Sequence, residues 1–94
     1  MMEIVQENSE RKGFFKAIID GKEAGLMTYT WAGTTKFIID HTEVHENFKG
    51  KNVGKQLVLK AVAFARENHL KIMPLCPFAK SVFDKNEDLK DVLF

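Results

Sequence analysis

With a single cysteine, Cys76, this 94-residue chain can close no internal disulfide and build no cysteine-rich zinc site. That thiol is left as either a small buried hydrophobe or a reactive group. No apolar run approaches the ~20 residues that cross a bilayer. The opening residues, Met1-Met2-Glu3-Ile4-Val5-Gln6-Glu7, lack the basic-then-apolar order of a signal peptide. The chain is therefore expected in the cytoplasm, away from membranes. An excess of one charge is missing too. Fourteen basic residues against thirteen acidic ones give a formal charge of +1, too little for a large counterion-release contribution from nucleic acid, which is not an expected partner. Histidines 41, 45 and 69 show no metal-ligand spacing, so no metal is expected. No repeat, low-complexity tract or Ser/Gly/Pro linker divides the sequence, and its length suits one compact domain over residues 1–94, expected as a monomer.

What is present is a change of apolar period near the middle. Up to about residue 44 the pattern suits strands: Ile4-Val5, Phe14 to Ile19, Ala24 to Trp31, and Phe37 to Val44, all rich in β-branched and aromatic residues. Asp20-Gly21 supplies the positive φ angles of a tight hairpin turn, and Gly33 with Thr34-Thr35 marks the next one. Three of the four strands are thus expected to form an antiparallel meander. From Val53 the spacing becomes helical, with Leu57, Val58, Ala61, Val62, Phe64 and Ala65 on one face and Lys55, Lys60, Arg66 and Glu67 on the other. Asn68 and His69 are candidate terminators, and Leu70 to Cys76 reads as a short strand. Strand, helix, strand implies a crossover and a parallel pair. Ala79 to Asn86 predicts a short helix and Asp88 to Leu93 a last turn or two. The expected fold is a mixed α+β sheet domain of order β-β-β-β-α-β-α.

The segment richest in chemistry joins the fourth strand to the long helix: Val44-His45-Glu46-Asn47-Phe48-Lys49-Gly50-Lys51-Asn52-Val53-Gly54-Lys55. A strand handing over to a helix N-terminus through glycines leaves backbone N–H groups unpaired, and the helix dipole favours an anion there. Lys49, Lys51 and Lys55 add positive charge. Phosphate or pyrophosphate is the ligand class this suits, set against a plain glycine turn capping a helix. The spacing is neither a P-loop nor the G-x-G-x-x-G dinucleotide fingerprint.

Strand, then Lys49-Gly50-Lys51-Asn52-Val53-Gly54, then an amphipathic helix resembles the coenzyme A pyrophosphate loop of the GNAT N-acetyltransferases, usually written Q/R-x-x-G-x-G/A. Lys49 stands where Gln or Arg is usual, keeping the cation without the guanidinium fork. Asn52 stands where the first glycine belongs, and asparagine tolerates a left-handed backbone well. Pro74-Leu75-Cys76-Pro77-Phe78 resembles a motif of a subfamily of minimal, domain-sized GNAT-like proteins, and the resemblance covers about residues 3 to 93. Like them, the chain shows no convincing helix before the Asp20-Gly21 turn.

The resemblance implies that the fourth and fifth strands splay, with the pantetheine arm of acetyl-coenzyme A between them and the pyrophosphate on the N–H groups of Lys51 to Gly54. Thr42, Glu43 and Val44 would line the pantetheine and acetyl group, and Lys49 and Lys55 would neutralise phosphate. Acetyl transfer to an amine needs a proton route, oxyanion stabilisation and a proton for the departing thiolate. His41 and Glu43, two apart on one strand, share a face as a base and its orienting partner would. His41 alone could equally be an ordinary surface histidine. Cys76, the residue that the subfamily proposes as reactive, is a candidate nucleophile or acid, given ionisation beside a cation such as protonated His41. The tyrosine acid of larger family members is missing, since Phe83 occupies that region and Tyr29, the sole tyrosine, lies far upstream. His45 and His69 are expected at the surface, and Trp31 and Phe48 in packing roles. The implied activity is transfer of acetyl to an amine of a small molecule or protein, directly or through acetyl-Cys76. The alternative is a coenzyme A or acyl-coenzyme A binding module without turnover, or, more plainly, an interaction domain.

Overall fold

A computed structural model describes residues 1–94. Four strands follow one another, β1 (Met2–Asn8), β2 (Lys12–Ile19), β3 (Lys22–Trp31) and β4 (Lys36–Val44), and a short 3-10 turn, Glu46–Phe48, precedes helix α1 (Val53–Asn68). Strand β5 (Lys71–Pro74), helix α2 (Pro77–Lys85) and a 3-10 segment, Glu87–Val92, complete the chain. The sheet order is β1-β2-β3-β4-β5. All four leading strands pair antiparallel, one more than the three expected, and β5 adds parallel to β4 through the α1 crossover. The turn chemistry is as the sequence implies. Asp20 and Gly21 both have positive φ, 51° and 78°, and so make a two-residue turn matched to strand twist.

Local chemistry also explains the helix limits. His69 ends α1 in a left-handed conformation, and the N–H of Leu70 bonds the Ala65 carbonyl at 2.8 Å. Helix α2 begins at Pro77, two residues before the expected Ala79, because proline at the first helical position has no N–H to leave unpaired. Conversely β5 ends at Pro74 rather than Cys76, since a proline nitrogen cannot continue the ladder.

One face of the sheet carries Phe15, Ala17, Met27, Tyr29, Phe37, Ile39 and Ile72, all fully buried against Leu57, Val58, Ala61, Val62 and Ala65 of α1. Ala79, Val82 and Phe83 of α2 and Leu89 and Val92 beyond it close the same core. Each large side chain buried here contributes roughly 1.5–3 kcal/mol. Phe64, expected on the buried face, lies at its rim and is edge-on to Phe15 and Trp31. Arg66 forms a two-pronged pair with Asp91 at 2.7 and 3.0 Å and also donates to the Asp88 carbonyl, pinning the C-terminal turn to α1. No helix covers the opposite face, where Phe14, Ile18, Leu26, Thr28 and Ile38 are half-buried among polar neighbours. No helix is long and apolar enough to cross a membrane.

Two bulges break the sheet register, at Ala24 in β3 and at Asp40 in β4. The second matters for the site. Tyr29 pairs with Ile39 and Thr28 with His41, so Asp40 has no partner and the alternation slips by one residue. Before the bulge Phe37 and Ile39 face the helices; after it Thr42 and Val44 do, leaving His41 and Glu43 exposed on the open face.

Candidate functional site

Beyond β4 the chain turns through Glu46–Phe48 and enters α1 with two left-handed residues, Gly50 at φ 84° and Asn52 at φ 65°. Asn52 makes no side-chain cap bond, so its conformation rather than its amide group fits it to this place. The first bond of the helical ladder runs from Gln56 N–H to the Asn52 carbonyl at 3.1 Å. The N–H groups of Val53, Gly54 and Lys55 are therefore unpaired at the helix N-terminus, as an anion site requires. Lys49, Gly50, Asn52, Val53, Gly54 and Lys55 line one hollow of about 500 Å³, joined by Val44, Phe48 and Phe78. Lys51 does not line it. Its N–H turns inward to the Phe48 carbonyl at 3.4 Å, because the 3-10 turn needs that donor, so the cradle starts one residue later than expected. Lys49 is partly neutralised by Glu46 at 3.3 Å, which leaves Lys55 as the unpaired cation lining the hollow.

Phe78 was given no role by sequence, yet its ring closes one side of the hollow and is 42% exposed. It lies directly over Gly54, where a Cβ would stand only 2.5 Å from the ring's Cζ. A glycine in the first turn of a helix was the available signal, since glycine costs stability there unless something must come close.

Strands β4 and β5 pair only as far as Ile39 and Pro74. The Ile39 carbonyl then receives both Leu75 N–H at 3.1 Å and Cys76 N–H at 3.2 Å. Past this point no β5 residue pairs with β4, because β5 ends at Pro74 and the chain turns into α2, leaving a gap beside Thr42 to Val44. Cys76 sits beside the gap, 6% exposed, as the N-cap of α2. Burial pushes its thiol pKa up, but the N–H groups of Ala79 and Phe78 and the hydroxyl of Thr42 outweigh that, so the value falls below that of a free thiol. Thr42 Oγ1 is buried with no other partner, which leaves its hydroxyl to the Cys76 sulfur.

The structure thus gathers Thr42, Val44, Cys76 and the loop on the helix side of β4, and places His41 and Glu43 on the other. The cation expected beside Cys76 is not His41. The helix N-terminus and a hydroxyl take that part, because the Asp40 bulge turns His41 away. Tyr29 is wholly buried, hydrogen-bonded to Gln6 and Asn8, and belongs to the core with Trp31 and Phe37. His45 is not a plain surface residue. Its Nε2 pairs with Glu23 at 2.7 Å, holding the loop entrance to β3.

Comparison with known proteins adds to this geometry. The profile of a family described as GCN5-related N-acetyl-transferase matches residues 14–92. Protein NATD1 of Danio rerio is 24% identical over 82 residues, covering 87% of this chain and 74% of its own. A GCN5-like protein from Staphylococcus aureus, solved in solution, is 34% identical with a TM-score of 0.71, covering 98% of this chain and 87% of that one. A ribosomal-protein-alanine N-acetyltransferase from Brucella melitensis shares the fold at 20% identity and TM-score 0.71 over 82% of this chain, which spans 62% of that enzyme's length.

Proposed function

This chain belongs to the GCN5-related N-acetyltransferase family, and from that membership we propose that it moves the acetyl group of acetyl-coenzyme A to an amine of a small molecule or protein, with Cys76 as the acyl-carrying residue. The observation that carries this is one of continuity. An anion cradle of three free N–H groups opens beside the gap between β4 and β5, and a thiol with a lowered pKa stands at the same gap. The Pro-Leu-Cys-Pro-Phe run supports placement with the minimal domain-sized members. The proposed setting is the cytoplasm, as a monomer.

The cradle fits a pyrophosphate on chemical grounds. Val53, Gly54 and Lys55 offer donors, Lys55 and Lys49 offer charge, and Gly50, with open space beside its Cα, lets a ligand approach the backbone. Unpaired β4 groups beyond Ile39 would bond the amides of the pantetheine arm, with Val44 and Phe78 against its methylenes. The bound coenzyme supplies an acetyl thioester. Cys76 Sγ, as thiolate, would take the acetyl group in an exchange between two thioesters of similar energy, and the released coenzyme thiol would carry the proton that Cys76 gave up. The neutral acceptor amine then displaces Cys76, restoring the thiolate and releasing a proton. Thr42 and the N–H groups of Phe78 and Ala79 hold the sulfur anion at both stages. His41 and Glu43, on the open face, are positioned to receive that proton from the acceptor's side.

Titration calorimetry with acetyl-coenzyme A, followed by intact-mass measurement, tests this. Binding with one added acetyl group that disappears in Cys76→Ala supports the covalent route. Acetylated amine formed at an undiminished rate by Cys76→Ala would show direct transfer. Binding without product from any amine would make the protein a coenzyme A binding module. No binding would refute the pyrophosphate assignment of the Lys49–Lys55 loop.

A further inference from the structure

Two residues of the coenzyme site each cost stability where they stand, and they meet at one contact. Gly54 lies in the first turn of α1, where alanine would hold the helix better, and Phe78 leaves an aromatic ring 42% exposed. The tip of the ring rests on the glycine. A Cβ at residue 54 would lie 2.5, 2.7 and 3.3 Å from the ring's Cζ, Cε2 and Cε1. Residues that break local rules together mark a demand of function rather than of folding. Phe78 is also the only wall of the hollow of about 500 Å³ that comes from α2, the others belonging to β4, the loop and the start of α1. At its other end the same residue meets the thiol. Phe78 is the second residue of α2, and its N–H has no backbone partner and is directed at the sulfur of Cys76, the helix N-cap. One residue thus reaches from the cradle, through the ring on Gly54, to the sulfur.

We propose that Phe78 is a positioning residue for acyl exchange: seated on Gly54, its ring holds the N-terminus of α2 at a set reach from the cradle, so that a thioester anchored by its pyrophosphate arrives at Cys76. This rests on the transferase reading above and adds to it the residue that sets the span. The consequence is a dependence on anchoring. A thioester held at the cradle has its reactive carbon at the end of an arm of fixed length, and misplacing such a reactant by ~1 Å can cost on the order of a hundredfold in rate. A small thioester without phosphate reaches Cys76 with no reference to the cradle and loses nothing. Gly54 and Phe78 should also act as one unit, since a Cβ at residue 54 does its harm by displacing this ring.

The test follows acetylation of Cys76 by intact mass in the whole 94-residue protein, with acetyl-coenzyme A and, separately, with N,S-diacetylcysteamine, which has the same thioester end and no nucleotide. In both reactions the Cys76 thiolate takes the acetyl group, the old C–S bond breaks, and the released thiolate takes up the proton that Cys76 gave up. Phe78→Ala is expected to slow acetylation from saturating acetyl-coenzyme A about tenfold and to leave the rate from N,S-diacetylcysteamine within about twofold of wild type. Gly54→Ala should slow the coenzyme reaction likewise, and should add little once Phe78→Ala has removed the ring. Phe78→Leu keeps an apolar side chain but falls short of the ring's tip, so it should match Phe78→Ala and stands in for that variant if it fails to fold. Equal slowing with both thioesters would make the ring a support for the thiol and overturn the assignment. So would an unchanged coenzyme rate, or losses from Gly54→Ala and Phe78→Ala that multiply independently. Wild type left unacetylated by acetyl-coenzyme A would sink the transferase reading and this one with it, whereas wild type acetylated at a rate that Phe78→Ala does not alter would sink this one alone.

Discussion

Asn52 offers the sharpest test of how the coenzyme loop is built. Its φ of 65° and ψ of 23° lie in the left-handed region, and its side chain makes no cap bond. The position therefore selects for backbone conformation, and two substitutions should part company. Glycine adopts that conformation without steric penalty, so Asn52→Gly should melt within a few degrees of wild type and bind acetyl-coenzyme A as well. Alanine meets its own Cβ there, at about 1 kcal/mol relative to residues that tolerate the region. That penalty must show in one of two places. If the loop holds its shape, the melting temperature falls by about 4–8 °C, the shift that 1 kcal/mol produces in a domain of this size. If the loop relaxes, stability survives, but binding must restore the shape and affinity drops about fivefold. Circular-dichroism melts and calorimetry on the same three proteins read both. An Asn52→Ala protein unchanged in both would refute the reasoning. So would Asn52→Gly failing like alanine, since the side chain would then be needed for itself.

Tyr29→Phe deletes a hydroxyl that donates to Asn8 Oδ1 and accepts from Gln6 Nε2, both at 2.9 Å. A loss of about 1 kcal/mol is expected in urea unfolding, and an unchanged midpoint would show these bonds to be idle. Cys76 should alkylate with iodoacetamide along a pH profile lying below that of a free thiol, and Thr42→Val should move the profile upward by removing a donor to the thiolate. Superimposable profiles would dismiss Thr42. Hydrogen bonding from His45 lowers the Glu23 pKa below its ordinary 4.5 against a small burial cost, with Lys16 assisting. A depressed carboxyl stabilises the fold above its unfolded pKa and loses that contribution as pH falls through its folded value. Wild type should therefore lead Glu23→Gln in stability at neutral pH, with the gap closing below about pH 4.5. A gap that widened in acid would reverse the assigned sign, and added salt should narrow it because the pair is half-exposed.

Much of the fold was legible because its signals are local. Alternation and β-branching mark four strands, a period of 3.6 marks α1, Asp20-Gly21 marks its hairpin, and a glycine-bearing loop before a helix marks an anion site wherever it occurs. Six of the seven expected loop residues, 49 to 55, do line one hollow, and the exception, Lys51, lost its donor to a turn that no periodicity announces. The sequence by itself thus determined the element order, the buried face of the long helix and the place of the loop that leaves N–H groups unpaired, since each depends on residues within a few positions of one another. Only the tertiary structure decided what depends on register between strands. The Asp40 bulge sends His41 and Glu43 to one face and Thr42 and Val44 to the other, which turns His41 away from Cys76 and leaves the N-terminus of α2 to act on the thiol. A slip of one residue in pairing leaves the composition of a strand untouched and reverses where every later side chain points.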